Sequence, residues 1–455
     1  DMGIQKGDTV GIFANSSPFW LIFDFAILQV GAISVPIFAN ISTTNLNFEI
    51  KDSAMKFMFI DSQERLKDIE KENSHLTFIT HNFCIKEPNF YNFDEILVIG
   101  KQICDSTGFT SFEANPDDIF SIIYTSGNTG TPKGVMLSHK NIVSQLHDIN
   151  KLIDLPKGEV ALSLLPLAHI FERTVMSYYL SRGISIYFVD DVLNVANLMK
   201  VVKPTIMTVV PRLLEKIFNK IKAQILEKPF FSRVIASLAF SYALKENLDK
   251  SSILFKIYDK LVYSKFREIF GSKVEKLVSG GAPLSKEIAI FFVNIGVPVY
   301  QGYGMTEFSP VVSTNYPFAN KVGSCGKVIP SAQIKITANN ELLVRGDSLM
   351  LGYLNQEELT KNTIDSDGWL HTGDVAFLDE EGYLFIKSRI KDIFKTSTGE
   401  YVNAVEIEQK LSRNRYIEFA VVISQNRKYT TALLFVDKEK YENAKKLNKN
   451  LTIEE

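Results

Sequence analysis

Twelve residues, Tyr124–Val135, read YTSGNTGTPKGV and hold three glycines, four Ser or Thr hydroxyls and one lysine. Glycines let successive backbone N–H groups converge on an anion without Cβ clashes. Here Gly127 and Gly130 supply bare backbone, Thr125, Ser126 and Thr129 add hydroxyl donors, and Lys133 adds a mobile point charge. That set suits a nucleotide phosphate chain, and taken alone it also suits a tight turn. Two familiar nucleotide motifs do not fit. Lys133 follows Pro132 and precedes Gly134, unlike a P-loop, and GYGMTE puts Glu307 where a dinucleotide fingerprint needs its third glycine.

Other stretches offer compatible chemistry. In QGYGMTE (Gln301–Glu307), Tyr303 has a flat face for stacking on a purine and Thr306 a hydroxyl for a phosphate. Glu307 is a hard oxygen ligand suited to Mg2+. Gly280 and Gly281 of SGGAP allow close backbone approach to a base. Asp374 of HTGD can accept both hydroxyls of a ribose, and Arg389, at the end of the next hairpin, can reach the ribose or phosphate from the other side. Each residue also has a bland reading: a core tyrosine, a surface carboxylate, a turn-capping aspartate, a satisfied structural histidine at His169.

The elements that must position these groups alternate. TVGIFAN is followed by SSPFWLIFDFAILQVGA, where Ser17 can cap a helix with Pro18 at its first position. ISVPIF, a helical NLNFEIKDSA, KFMFID and a charged helical SQERLKDIEKE continue the pattern, which resumes at DIFSIIYTS. Near-continuous apolar strands between helices predict mostly parallel sheets covered on both faces, an α/β fold. In such sheets ligands sit beyond the carboxyl ends of strands, where YTSGNTGTPKGV falls. After Gly326 the texture turns β-rich, and a domain boundary is expected near Arg389–Asp392. Residues 251–270 carry apolar side chains at helical spacing with lysines on the other faces; this fits a core-facing helix or a basic helix lying on a membrane surface.

A formal charge of −2 over 455 residues gives no basic excess of the kind nucleic-acid binding needs. Three scattered cysteines argue against a disulfide framework and fit a reducing cytoplasm. The six histidines show no metal-ligand spacing. The chain enters a strand pattern almost at Asp1 and ends inside a charged helical pattern, so both ends read as cut from a longer protein.

Six motifs, YTSGNTGTPKGVMLSH, LPLAHIFER, SGGAPLS, QGYGMTE, GWLHTGD and SRIKDIF…TGEY, occur in that order. Their order and rough spacing resemble the AMP-forming acyl-CoA synthetases of the adenylate-forming superfamily, over nearly the whole chain. LPLAHIFER, SGGAPL and KTSTGEY look most like bacterial long-chain fatty acid–CoA ligases. The resemblance implies ATP, Mg2+ and coenzyme A, with a fatty acid as substrate and Thr125 sharing the metal with Glu307. It implies nucleotide contacts from the loop and from Gly280, Gly281, Ala282, Gln301, Gly302, Tyr303, Gly304, Thr306, Asp374 and Arg389. It puts His169 beside the attacking carboxylate and Lys391 at a hinge, with Lys391 and Lys395 on the nucleotide and Gly399 near the pantetheine arm. Catalytic roles then fall to Thr125, Lys133, His169, Glu307 and Lys391.

The implied architecture is a large N-terminal domain (1–388, with 326–388 a β-rich subdomain), a hinge (389–392) and a small mobile α+β C-terminal domain (393–455, incomplete). The family's C-terminal catalytic lysine has no matching pattern after Arg389, so impaired adenylation is expected of this stretch of chain. Peripheral membrane contact and a homodimer are compatible with the resemblance. An acyl-AMP or acyl–carrier-protein ligase, or a nucleotide-binding relative without catalysis, remain alternatives at this level.

Overall fold

β-branched and aromatic runs form the strands of two large sheets in the computed structural model, which describes residues 2–69, 73, 75–125, 131–395, 401–412, 414, 416–424 and 429–447. By its internal contacts the chain forms two compact units. The first comprises Asp1–Gln333, Val344–Leu370 and Glu380–Leu384.

Its strands begin with β1 (Thr9–Phe13), β2 (Ile33–Pro36), β3 (Phe57–Ile60), β4 (Thr77–Thr80) and β5 (Phe90–Asn92). There follow β6 (Ile119–Thr125), β7 (Lys133–Ser138), β8 (Val160–Ser163), β9 (Ser185–Phe188) and β10 (Ile206–Val209). Then come β11 (Lys276–Ser279), β12 (Val299–Gly304), β13 (Val311–Thr314) and β14 (Lys327–Val328). Later strands of the chain are β15 (Ala332–Ile336), β16 (Glu341–Gly346), β17 (Gly352–Tyr353), β18 (Leu370–Leu378) and β19 (Leu384–Arg389), of which only β17 lies wholly in this unit.

The first sheet runs β17-β7-β6-β2-β1-β3-β4-β5 and is parallel except where β7 pairs antiparallel with β6 and β17. The second runs β14-β13-β12-β11-β10-β8-β9, parallel from β12 to β9. Helices α1 (Pro18–Gln29), α2 (Thr43–Asp52), α3 (Phe93–Thr107), α4 (His139–Leu152), α5 (Ile170–Ser181) and α6 (Val195–Val202) belong to this unit. So do α7 (Pro211–Leu226), α8 (Phe230–Ala243), α9 (Ile253–Tyr258), α10 (Ser264–Arg267), α11 (Lys286–Asn294) and α12 (Glu357–Thr363).

The strands read as unbroken apolar runs because both faces are covered. In β3, Phe57 and Phe59 enter one core cluster while Met58 and Ile60 enter another on the opposite face. Local signals hold as expected at α1, where the Ser17 hydroxyl accepts from the Trp20 N–H and Pro18 starts the helix. The charged run after Ser62 differs: it forms a 3-10 helix, Gln63–Asp68, rather than an α-helix. There Arg65 is drawn off to Asp61 (2.7 Å) and Asn15 (2.9 Å).

Helix α5 is clamped between the two sheets by two adjacent charges. Arg173 donates from Nε and Nη2 to both oxygens of Asp24 on α1 (2.8 and 2.6 Å), and from Nη1 to Ser121 on β6 (2.7 Å). Its guanidinium also lies 4.2 Å from the Phe120 ring centroid. Glu172 points to the second sheet, accepting from Ser163 on β8 (2.6 Å) and from Thr208 on β10. Burial outweighs these bonds and pushes the Glu172 carboxyl up to about 7. The folded chain therefore holds a proton that the unfolded chain releases above the ordinary glutamate value of 4.5. Stability is expected to fall as pH rises from 4.5 to about 7, by an order of about 3 kcal/mol from this group. Glu172→Gln is expected to flatten that slope, as measured by denaturant midpoints at pH 5 and pH 7.5.

The 251–270 stretch is helical but broken: α9 passes through a π-helical turn, Asp259–Tyr263, into α10. Val262, Tyr263 and Phe266 are buried, whereas Leu254, Ile257 and Leu261 face outward. Among the described residues no helix is long and apolar enough to cross a membrane.

The second unit comprises Ile334–Leu343, His371–Asp379 and Phe385–Glu455 and holds most of a four-stranded sheet of order β15-β16-β18-β19. It also contains two antiparallel pairs, β20 (Ile393–Lys395) with β21 (Tyr401–Asn403), and β22 (Ile417–Ile423) with β23 (Thr431–Val436). Helices α13 (Ala404–Leu411) and α14 (Lys438–Leu447) complete it.

Candidate active site

Thr125 ends β6 and Lys133 begins β7, directly opposite each other in the antiparallel register. The glycine-rich segment thus joins two paired strands, and the next helix starts only at His139. Ser126, Gly127, Thr129 and Gly130 lie outside the described residues. Strand β7 pairs on its other edge with β17, which brings Tyr353 opposite Val135. The Lys133 ammonium lies 5.2 Å from the Tyr353 ring centroid, and the Tyr353 hydroxyl donates to Glu307 Oε1 at 2.8 Å. Burial first, and then the Glu307 charge, raise the Tyr353 phenol above its ordinary pKa. Glu307 Oε2 has no hydrogen-bond partner among the described residues, which leaves a hard oxygen for a cation beside the loop lysine. No cluster of three or more His, Cys, Asp or Glu suited to a metal occurs among the described residues.

A cavity of about 430 Å³ opens beside this chain of contacts, and Thr125, Thr306 and His169 share its wall with Phe38, Glu49 and Tyr124. His169 is the N-cap of α5: its Nδ1 accepts from the Phe171 N–H at 3.2 Å, which assigns the ring proton to Nε2. The ring is exposed to the cavity yet crowded by protein elsewhere, and that desolvation lowers its pKa from the usual histidine value. Glu49, on α2, is 4% exposed; its carbonyl accepts from the Ser53 hydroxyl at 2.6 Å, while its carboxyl has no hydrogen-bond partner among the described residues. Burial pushes its carboxyl up to about 8. Neighbouring Tyr124 donates its hydroxyl to Asp52 at 2.8 Å.

The two remaining loop motifs of this unit leave adjacent parallel strands, SGGAP from β11 and QGYGMTE from β12. Gly280 packs against the Phe171 ring, and a Cβ there would sit 3.4 Å from it. Gly281 turns with φ +80° and faces open space, a conformation that strains other residues. Ala282 beside it is exposed. At Gly304 a Cβ would overlap the Pro310 carbonyl oxygen, so only glycine lets β12 and β13 close this tightly. Gln301, Gly302 and Tyr303 lie on β12, and Thr306 and Glu307 in the short helix Thr306–Phe308 that follows.

In the second unit, Arg389 Nε lies 3.2 Å from Asp374 Oδ1, with the aspartate buried and the arginine exposed. Lys391 is exposed in the helical turn Ile390–Asp392. Lys395 ends β20, and Gly399 lies outside the described residues.

A family model described as AMP-binding enzyme matches residues 1–354. The chain belongs to that family. A model of the AMP-binding enzyme C-terminal domain also matches, at residues 391–454. Among AMP-binding relatives, the long-chain-fatty-acid–CoA ligase FadD15 of Mycobacterium bovis is 31% identical over 98% of this chain and 76% of its own length. The long-chain-fatty-acid–CoA ligase ACSBG2 of Xenopus laevis is 32% identical over 95% of this chain and 62% of its own. The fold matches that of the Bacillus subtilis O-succinylbenzoate coenzyme A synthetase solved with ATP and magnesium, at TM-score 0.70 and 21% identity over 99% of this chain and 84% of that one. A Mycobacterium tuberculosis fatty acyl CoA synthetase matches at TM-score 0.66 and 21% identity, over 99% of this chain and 83% of that one.

Three groups, two beside the cavity (Tyr353, Glu49) and one in the core behind it (Glu172), carry no signal that sequence reasoning used. Tyr353 sits in LGYLN, which has no periodicity to flag it, and reaches Glu307 only through the β7–β17 pairing. Glu49 is one charge on an apparently polar helix, and Glu172 looks like half of an ordinary exposed Glu-Arg pair.

Proposed function

We propose that this chain activates a fatty acid with ATP and transfers the acyl group to coenzyme A, giving fatty acyl-CoA, AMP and pyrophosphate. The observation that carries the reading is the shared cavity of Thr125, Thr306 and His169 beside the Lys133–Tyr353–Glu307 contacts. The names of the relatives support a long-chain fatty acid as substrate.

The fatty carboxylate attacks the α-phosphorus, forming the acyl–phosphate bond as the bond to pyrophosphate breaks. The coenzyme A thiolate then attacks the acyl carbonyl, and AMP leaves. Glu307 Oε2 and the Thr125 hydroxyl would hold Mg2+, which when bound offsets charge on the phosphate oxygens. Tyr353 fixes the Glu307 carboxylate, Lys133 and the loop residues Ser126, Gly127, Thr129 and Gly130 grip the phosphates, and Tyr303 stacks on the base beside Gly280, Gly281, Ala282, Gln301, Gly302 and Gly304. Neutral His169 donates from Nε2 to the acyl carboxylate or the α-phosphate without drawing the carboxylate into an ion pair. Asp374 and Arg389 take the ribose. Lys391 serves as the hinge about which the C-terminal domain turns between half-reactions, Lys391 and Lys395 contact nucleotide, and Gly399 meets the pantetheine arm. Peripheral membrane contact and a homodimer belong to the same proposal.

The test is fatty-acid-dependent exchange of labelled pyrophosphate into ATP by the full-length protein, followed by acyl transfer to coenzyme A or to a holo carrier protein. No exchange with any carboxylate from acetate to oleate rejects the ligase reading, and transfer to the carrier protein alone rejects coenzyme A.

Glu49 adds a pH signature. Its carboxyl keeps a proton up to about 8, so the cavity presents a neutral acid at pH 7 and an ionised one above it. Anionic substrate is then repelled, and KM for the fatty acid is expected to rise above pH 8. Glu49→Gln is expected to leave KM at pH 7 within about twofold and to abolish that rise. The same group destabilises the fold as pH climbs from 4.5 towards 8, because only the unfolded chain gives up the proton freely there.

A further inference from the structure

Helices α8 and α9 each turn an apolar stripe to solvent. On α8 the exposed side chains are Phe230, Phe231, Val234, Ile235 and Leu238, one face at helical spacing, while Ala236, Ala239, Phe240 and Ala243 face the core. On α9 and the turn after it they are Ile253, Leu254, Ile257 and Leu261. The two helical segments pack side by side: Tyr242 and Tyr258 ring centroids are 5.6 Å apart, the Tyr242 and Ser252 hydroxyls 3.2 Å apart, and the Tyr263 hydroxyl donates to the Ala239 carbonyl at 2.8 Å. Nine large apolar side chains therefore face outward from adjacent helices, and Phe231 at 82% and Ile253 at 77% exposure are the most prominent of them. Single exposed apolar residues are unremarkable, but two outward apolar stripes on helical segments that touch each other mark a contact surface.

Charge identifies the occupant. Between Lys220 and Glu268 the sequence holds ten Lys or Arg against five Asp or Glu, a local excess of five positive charges in a chain whose formal charge is −2. Lys228, Lys256, Lys260 and Lys265 are exposed beside the stripes, and the Arg233 guanidinium lies 5.8 Å from the Phe230 ring centroid. A second copy of the same face would set like charge against like. An apolar stripe rimmed by long basic side chains instead matches the headgroup boundary of an anionic bilayer, where such helices lie in the plane with the apolar face immersed about 5–10 Å.

We propose that the outward faces of α8 and α9 dock this protein on the surface of an anionic lipid bilayer, with Phe231 and Ile253 immersed and Lys256 and Lys260 at the headgroups. This deepens the membrane contact named above but does not depend on the ligase reading, because binding is read without turnover.

The experiment is flotation of the full-length protein with phosphatidylcholine vesicles, with and without about 30 mol% phosphatidylglycerol. Wild type is expected to float with the anionic vesicles and to lose binding when salt is raised from roughly 0.05 to 0.5 M. The Phe231→Ser/Ile253→Ser variant is expected to partition about tenfold more weakly, with an unchanged melting temperature and unchanged pyrophosphate exchange on a short, soluble acid. Lys256→Glu/Lys260→Glu is expected to lose the preference for anionic vesicles. Wild type that floats with no vesicle, or apolar variants that bind as well as wild type, overturn the proposal. So does a concentration-dependent dimer that the Ser variants dissociate, which assigns the face to a second copy of the chain.

Discussion

Glu307→Ala is expected to slow fatty-acid-dependent pyrophosphate exchange by about 10²–10³-fold, the order lost with one preorganised electrostatic contact, here the carboxylate proposed to hold Mg2+. The expectation rests on position: Glu307 is held by Tyr353, whose ring lies under the Lys133 ammonium, and Thr306 beside it opens into the same cavity as Thr125. Glu307→Gln keeps the shape and loses the charge, so its rate is expected to recover in part at high Mg2+ while that of the alanine variant does not. Tyr353→Phe is expected to cost about tenfold, one hydrogen bond to a charged group, with melting temperature nearly unchanged. A Glu307→Ala protein that exchanges at the wild-type rate, with the same Mg2+ dependence, removes the metal assignment and with it the account of how phosphate charge is offset.

The second large effect concerns stability. Arg173→Leu is expected to destabilise the first unit by about 3–5 kcal/mol, because it leaves the buried Asp24 carboxylate without its partner. Asp24 then keeps only the Ser34 hydroxyl, which donates to Oδ1 at 2.6 Å. The double variant Arg173→Leu/Asp24→Leu is expected to recover part of the loss, since an apolar pair needs no solvation. Urea unfolding of the four proteins in the cycle measures the coupling. If the double variant is as unstable as the sum of the singles, the pair does not act as a unit, and α5 is held by its apolar contacts alone.

The substitution of one side chain at Arg173 reaches both the fold and the cavity, because the helix it anchors begins at His169. Loss of the anchor is therefore expected to disturb the His169 cap, seen as a shift in the His169 ring resonance before global unfolding.

Local features were legible in the sequence because they depend on neighbours along the chain. Ser17 and Pro18 start α1 by satisfying and omitting the amide donors of one helical turn. The β1-to-β6 alternation follows from apolar strands that must be covered on both faces, and the loop after β6 follows from a strand that ends at Thr125. The loop's return along β7 was less visible, since VMLS does not announce a partner and the pairing with β6 and β17 supplies it. The apolar spacing of 251–270 predicted a helix, yet could not say that Leu254, Ile257 and Leu261 would face away from the core, because that depends on where α8 packs.

By itself the sequence determined the α/β alternation, the helix starts, the glycines that permit tight turns and the set of polar side chains available for phosphate chemistry. Only the tertiary structure decided which of them meet. Tyr353 reaches Glu307 across 46 residues of chain and Arg173 reaches Asp24 across 149, distances over which short-range propensity carries no information. The adjacent Glu172 and Arg173 read as one polar pair in the sequence, but successive residues on a helix point about 100° apart, so a helix held between two sheets can send one polar side chain towards each.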